Sequence, residues 1–129
     1  MIMTKEEIVK FEKSYAQLLG FYEETTVLVK KDPSGLMSKF KLQLINKLLS
    51  LTNKIVGDKK PFEEFDGFDI EGDMPFNSDV AMILSQYIKC MELIKKDNVH
   101  IDFNKWYWDV DGNKNDSSIR TSEPKMFKK

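Results

Sequence analysis

Few residues of this chain are of types suited to covalent or metal chemistry. His100 is the sole histidine and Cys90 the sole cysteine. Nucleophilic catalysis needs a base within hydrogen-bond reach of a thiol or hydroxyl. His100 falls in an alternating segment, whereas Cys90 falls on the apolar side of the helical pattern before it, so both read as structural. One histidine and one cysteine cannot build a multi-histidine zinc site or a thiolate cluster. A single cysteine also excludes an intrachain disulfide, which favours a reducing compartment.

The carboxylates are equally uninformative about catalysis. Helical Mg²⁺ pyrophosphohydrolases gather acids on facing helices. Here the second predicted helix has no acid after Asp32, the third has Asp79 and Glu92, and Glu23-Glu24 lacks a facing pair. Helical ribonucleases with an arginine-to-histidine motif are disfavoured, because Arg120 follows His100 by twenty residues. The stretch Asp109 to Asp116 is reminiscent of a calcium loop, which needs Gly at position 6 and Glu at position 12. Counted from Asp109 those positions hold Lys114 and Arg120; counted from Asp111 they hold Asp116 and Ser122. Gly67 and Gly72 lie among acids, which repel phosphate. The expectation is a protein that is not an enzyme and takes no cofactor or metal.

Two stretches have the chemistry of binding. Glu63, Glu64, Asp66, Asp69, Glu71 and Asp73 interleave with Phe65, Phe68 and Ile70, which suits a basic, groove-bearing protein partner. Trp106, Tyr107 and Trp108 precede an Asp-Gly turn signal; alternation puts Trp106, Trp108 and Val110 on one face, Tyr107 and Asp109 on the other. Such aromatics can stack on single-stranded nucleic acid, with Lys105, Lys114 and Arg120 nearby. Asp102, Asp109, Asp111 and Asp116 oppose that reading, as does a pI of 5.9.

The totals describe an ordinary globular chain. At 129 residues, 41% hydrophobic and 32% charged, it fits one domain. The net charge of −1 hides a distribution of +3 over 1–56, −6 over 57–79 and +2 over 80–129. Nineteen of the twenty basic residues are lysine, and that bias suggests an AT-rich genome. The start lacks a signal-peptide core, and no run approaches a membrane span, so the expected location is cytoplasmic.

The elements that must position these residues are mainly helical. Residues 5–31 form an amphipathic helix, opened by a Thr4/Glu7 capping box and striped by Ile8, Phe11, Tyr15, Leu18, Tyr22 and Val29. That seam could pair two copies as a homodimer. Close approach of a neighbour at Ala16 and Gly20 would explain the glycine. Asp32-Pro33-Ser34-Gly35 breaks the chain, and a second helix over 34–56 presents a wide stripe of Met37, Phe40, Leu44, Leu48, Leu51 and Ile55, flanked by Ile45, Leu49 and Val56, as a central helix would. Gly57 caps its end. The competing possibility is a β-hairpin from Thr25–Val29 and Lys39–Leu44; the persistent 3.6-residue pattern favours helices.

Residues 57–77 are a Phe-rich acidic loop, and 78–96 a third helix capped by Asn77 or Ser78. An aromatic hairpin or extended arm occupies 99–122. A register pairing Trp108 with Ile119, Trp106 with Thr121 and Tyr107 with Arg120 leaves Asp111 to Asp116 as a polar loop. Residues 125–129 are a mobile basic tail beyond a single helical domain, 1–124. The predicted architecture is a three-helix bundle with that C-terminal hairpin or arm. The predicted function is non-catalytic protein binding, of the kind used by accessory or inhibitory proteins of mobile elements. The contact residues would be Glu63, Glu64, Phe65, Asp66, Phe68, Asp69, Glu71, Asp73, Trp106, Tyr107 and Trp108. Single-strand binding through the arm and a structural homo-oligomer are the alternatives.

Overall fold

The computed structural model describes residues 1–125. It has three helices, α1 (Lys5–Lys31), α2 (Lys39–Val56) and α3 (Asn77–Lys96), and three short strands, β1 (Val99–Asp102), β2 (Lys105–Trp108) and β3 (Arg120–Thr121). The strands form one antiparallel sheet in the order β1-β2-β3. The mainly helical class with a C-terminal hairpin is as expected, and no helix is long and apolar enough to cross a membrane.

α1 begins where its capping box predicts. The Glu7 amide donates to Thr4 Oγ1 at 3.2 Å, and the Thr4 amide to Glu7 Oε1 at 3.1 Å. Helicity over Lys5–Lys31 and Lys39–Val56 removes the hairpin alternative for 25–44. α2 starts five residues later than the expected residue 34 and is capped by Ser38. The intervening segment is used instead in a bridge between Leu36 and Phe76, where the Asn77 amide donates to Gly35 O. α3 is capped by Phe76, whose amide donates to Asp79 Oδ2 at 2.8 Å. Gly57, at φ 58°, ends α2 as its sequence position implies.

The central helix is α1, not α2. α1 packs along α3 and along α2, while α2 and α3 touch each other sparingly. Ile8, Phe11 and Leu18 are buried in the core of their own chain. The seam proposed for a homodimer is thus occupied from within, over Ile8 to Leu18, by α3 and the sheet. Gly20 and Ala16 are exposed, and a Cβ on Gly20 would meet nothing within 4 Å. No neighbour explains that glycine.

α2 buries one edge of its expected wide stripe and exposes the other. Leu42, Ile45, Leu48, Leu49, Thr52 and Val56 point inward; Phe40, Leu44 and Leu51 point out, 69%, 39% and 55% exposed. Apolar residues cover more than half the circumference of α2, so its neighbours decide which of them are buried. Between α2 and α3 lies the 57–77 segment. Asn46 holds it like a backbone pair, donating to Phe68 O and accepting from the Phe68 amide at 2.7 and 2.8 Å. Asn53 donates to Asp66 O and accepts from the Tyr87 hydroxyl, and the Cys90 thiol donates to Lys59 O.

The predicted register between β2 and β3 is observed: Trp106 pairs with Thr121, Tyr107 with Arg120, and the Trp108 amide donates to Ile119 O. β1 is an additional strand. It joins β2 through a two-residue turn in which Phe103 and Asn104 both have positive φ, 49° and 64°. The Asp111-Gly112 turn forms as well, pairing Val110 with Asn113 inside the longer loop. Val110 also bridges Met3, so the N-terminal segment joins the C-terminal arm. Lys125, where the basic tail was expected to begin, donates its amide to Glu92 at 2.9 Å; residues 126–129 lie outside the described residues.

Because Gly20 sits in a helix interior facing open space, Gly20→Ala should stabilise the fold by about 1 kcal/mol. Urea unfolding would register this as a higher midpoint at unchanged slope.

Candidate functional site

The Trp-Tyr-Trp arm is built into the fold. Trp108 is wholly buried, edge-on to Phe11 at 5.1 Å between centroids, and its Nε1 donates to Glu12 Oε1 at 2.7 Å. The Thr121 hydroxyl donates to the same oxygen at 2.8 Å. One carboxylate on α1 thereby ties both β2 and β3 to the helix. Trp106 packs against the core half-buried, and Tyr107 stacks on His100 at 6.1 Å. The three rings face three different neighbours rather than one ligand. Trp108 in particular is a core residue and not a surface contact.

A second polar cluster lies near Glu12, between α1 and α3. Glu92 is buried, accepting from the Tyr15 hydroxyl and from the Lys125 amide. Lys95, also buried, donates to Ser122 Oγ at 2.7 Å. Burial pushes the Tyr15 phenol up, reinforced by Glu92, and pulls the Lys95 ammonium down. These groups bind the C-terminal segment to α1 and α3. Glu12, which organises the arm, had no sequence signal beyond an acid beside an apolar stripe.

His100 and Asp109 meet across the first hairpin. Nδ1 of His100 lies 2.6 Å from Asp109 Oδ1, and Lys114 Nζ donates to Asp109 Oδ2 at 2.6 Å. Asp109 is buried because it is held on both sides, against the alternation expected along this strand. His100 Nε2 is buried with no hydrogen-bond partner among the described residues. No nucleophilic hydroxyl or thiol is bonded to it, and burial raises the Cys90 thiol above its ordinary value. Among the described residues no three of His, Cys, Asp and Glu are gathered as a metal-holding group.

The acidic loop separates into two parts. Glu63, Glu64, Asp66, Asp69, Glu71 and Asp73 are all exposed. Phe65 and Phe68 are half-buried against the core and pack edge-on to each other at 5.1 Å, with Phe62 edge-on to Phe65 at 6.0 Å. Their rings turn toward the core.

While Met74, Phe76, Met82, Leu93 and Ile101 are exposed elsewhere, part of the exposed apolar surface runs along the outside of α1 and α2. At one end a cavity of about 430 Å³ is lined by Phe21, Thr25 and Leu28 of α1 and by Phe40, Lys41 and Leu44 of α2. At the other a cavity of about 370 Å³ is lined by Lys10, Lys13, Ser14 and Gln17 of α1 and by Leu51, Lys54 and Ile55 of α2. Positions 10, 13, 14, 17, 21, 24, 25 and 28 make one continuous stripe on a helix. The two cavities share no lining residue and lie in line along the α1–α2 seam, a groove whose α1 side from Lys10 to Leu28 spans about 27 Å at 1.5 Å per residue. Phe40, Leu44 and Leu51 were visible in the sequence as an apolar stripe, but as a core face. A second exposed feature is Phe103, 90% exposed at the tip of the first hairpin in a backbone conformation unfavourable to aromatic residues. No turn dipeptide announced it.

No family model, no curated protein and no solved structure matches this chain.

Glu12→Ala would leave the Trp108 indole N–H and the Thr121 hydroxyl without their acceptor, and should cost about 2–3 kcal/mol. Glu12→Gln keeps an acceptor oxygen and should lose less. Thermal unfolding followed by tryptophan fluorescence would rank the two variants; equal losses would contradict the hydrogen-bonding role.

Proposed function

We propose that this protein is a non-catalytic protein-binding module acting in the cytoplasm, and that the α1–α2 groove is its principal contact surface. The observation that carries this reading is the exposure of Phe40, Leu44 and Leu51 beside two cavities in line along the α1–α2 seam. Fully burying one such side chain contributes about 1.5–3 kcal/mol. A contiguous apolar surface left open on a folded chain is the usual mark of an interaction site. Phe103 adds a second apolar anchor of the kind that fills a partner's pocket.

The accessory or inhibitory role expected from the sequence agrees with this reading, since covering one surface of a partner is enough to block it. The exposed carboxylates from Glu63 to Asp73 lie outside the lining of this groove and would act by charge alone, on a surface apart from it. Their interleaved phenylalanines are occupied inside the fold.

The test is affinity capture from the native host with the purified chain and with a Phe40→Asp/Leu51→Asp variant. Both positions are exposed, and an acid at Phe40 sits favourably in the first turn of α2, so the variant should keep its circular dichroism and melting temperature. The expected result is one stoichiometric partner, lost with the folded variant. A partner retained by that variant would move the site elsewhere, and recovery of no partner would contradict the reading.

A further inference from the structure

The groove has a charge pattern that narrows what can occupy it. Lys10, Lys13 and Lys54 border one end and Lys41 the other, against the single acid Glu24. All four lysines are exposed, and none is within an ion pair among the described residues. The groove is therefore basic on a chain whose net charge is −1. Resting on the protein-binding reading above, we propose that the occupant is an amphipathic helix of another protein, with acidic residues flanking its apolar stripe.

Shape and charge both lead to this partner. Two antiparallel helices leave a trough between them whose floor repeats every three to four residues. An added helix presents its own apolar residues at that spacing. A length of about 27 Å accommodates about five turns, or 18 residues. An acidic flank would meet Lys10, Lys13 and Lys54 at one end and Lys41 at the other, where those ammonium groups have no internal carboxylate to satisfy them. The partner's sign is thus opposite to the one expected for the Glu63–Asp73 segment. A second copy of this chain fits less well. Its own acidic segment turns Phe62, Phe65 and Phe68 into its core and has no helix to offer. A concave trough also suits a rod better than a flat lipid surface.

Two fluorescent peptides provide the direct test. Each has 18 residues with leucine at the stripe positions; one carries glutamate on the flanks and the other lysine. Anisotropy with the full chain at low salt should show the glutamate peptide binding about tenfold tighter or more, with the preference weakening as salt rises. Lys13→Glu/Lys54→Glu should reverse the preference, and Phe40→Asp/Leu51→Asp should abolish binding of both peptides while the fold persists.

Equal binding of the two peptides, or none, would overturn the inference. Vesicles of phosphatidylserine and phosphatidylcholine serve as the competing probe. Binding to them that is lost in the Phe40→Asp/Leu51→Asp variant, without peptide binding, would also overturn it. So would sedimentation showing a dimer abolished by the same variant. If the captured partner needs Phe40 and Leu51 but the peptides show no charge preference, the acidic-helix inference falls and the protein-binding reading stands. If the captured partner ignores those residues, the reading itself falls.

Discussion

The structure depends on how α1 divides its surface. One long helix has to serve α2, α3 and the sheet, and its innermost residues are taken by α3 and the arm. Trp108 enters this interface against Phe11, and Glu12 Oε1 accepts from both its indole and the Thr121 hydroxyl. A buried aromatic contributes a large apolar area, and a charged acceptor for its N–H removes the cost of burying that group. With the arm fixed in this way, α2 can rest against only one edge of α1. The Phe-rich segment fills its other side through Asn46 and Asn53. What is left over is the outer face of α2, and that leftover is the groove.

This explains why the local pattern was legible and the assembly was not. The Thr4/Glu7 box, the spacing from Ile8 to Tyr22 and the apolar run from Val80 to Ile94 identify α1 and α3 from short-range chemistry. The β2–β3 register was readable too, because pairing Trp108 with Ile119 is the alternative that avoids setting a buried indole opposite Asn115. Contacts that set the helix faces span far greater separations: Glu12 reaches Trp108 across 96 residues and Thr121 across 109. No periodicity encodes them. α2 illustrates the consequence. Its apolar residues lie around more than half the helix, so the stripe Phe40-Leu44-Leu51 and the stripe Leu42-Ile45-Leu49 were equally plausible as core. β1 escaped notice for a different reason. Its hairpin turns through Phe103-Asn104, with no glycine to signal two consecutive positive φ angles.

The same reasoning redistributes the candidate contact residues. Trp108 belongs to the core, and Phe65 and Phe68 pack against it. The carboxylates from Glu63 to Asp73 stay in solvent while Phe65, Phe68 and Ile70 turn inward. The His100–Asp109–Lys114 cluster, which by residue type resembles catalytic machinery, closes the hairpin and stabilises a buried carboxylate. One exposed apolar surface, formed by Phe40, Leu44 and Leu51, is instead one that hydrophobic patterning would assign to the interior. A helix whose apolar stripe is wider than its neighbours can cover is, on this view, a better indicator of binding than an isolated aromatic motif.

The central claim is that this second stripe of α2 is open in the folded, isolated chain. Cysteine scanning in a Cys90→Ser background tests it most directly, with Phe40→Cys and Leu51→Cys compared with Leu49→Cys in dilute solution. The account predicts that the first two react with a maleimide at close to unfolded-peptide rates, while Leu49→Cys reacts only through global opening. Protection of Phe40→Cys and Leu51→Cys equal to that of Leu49→Cys would contradict it, showing that the face is already covered.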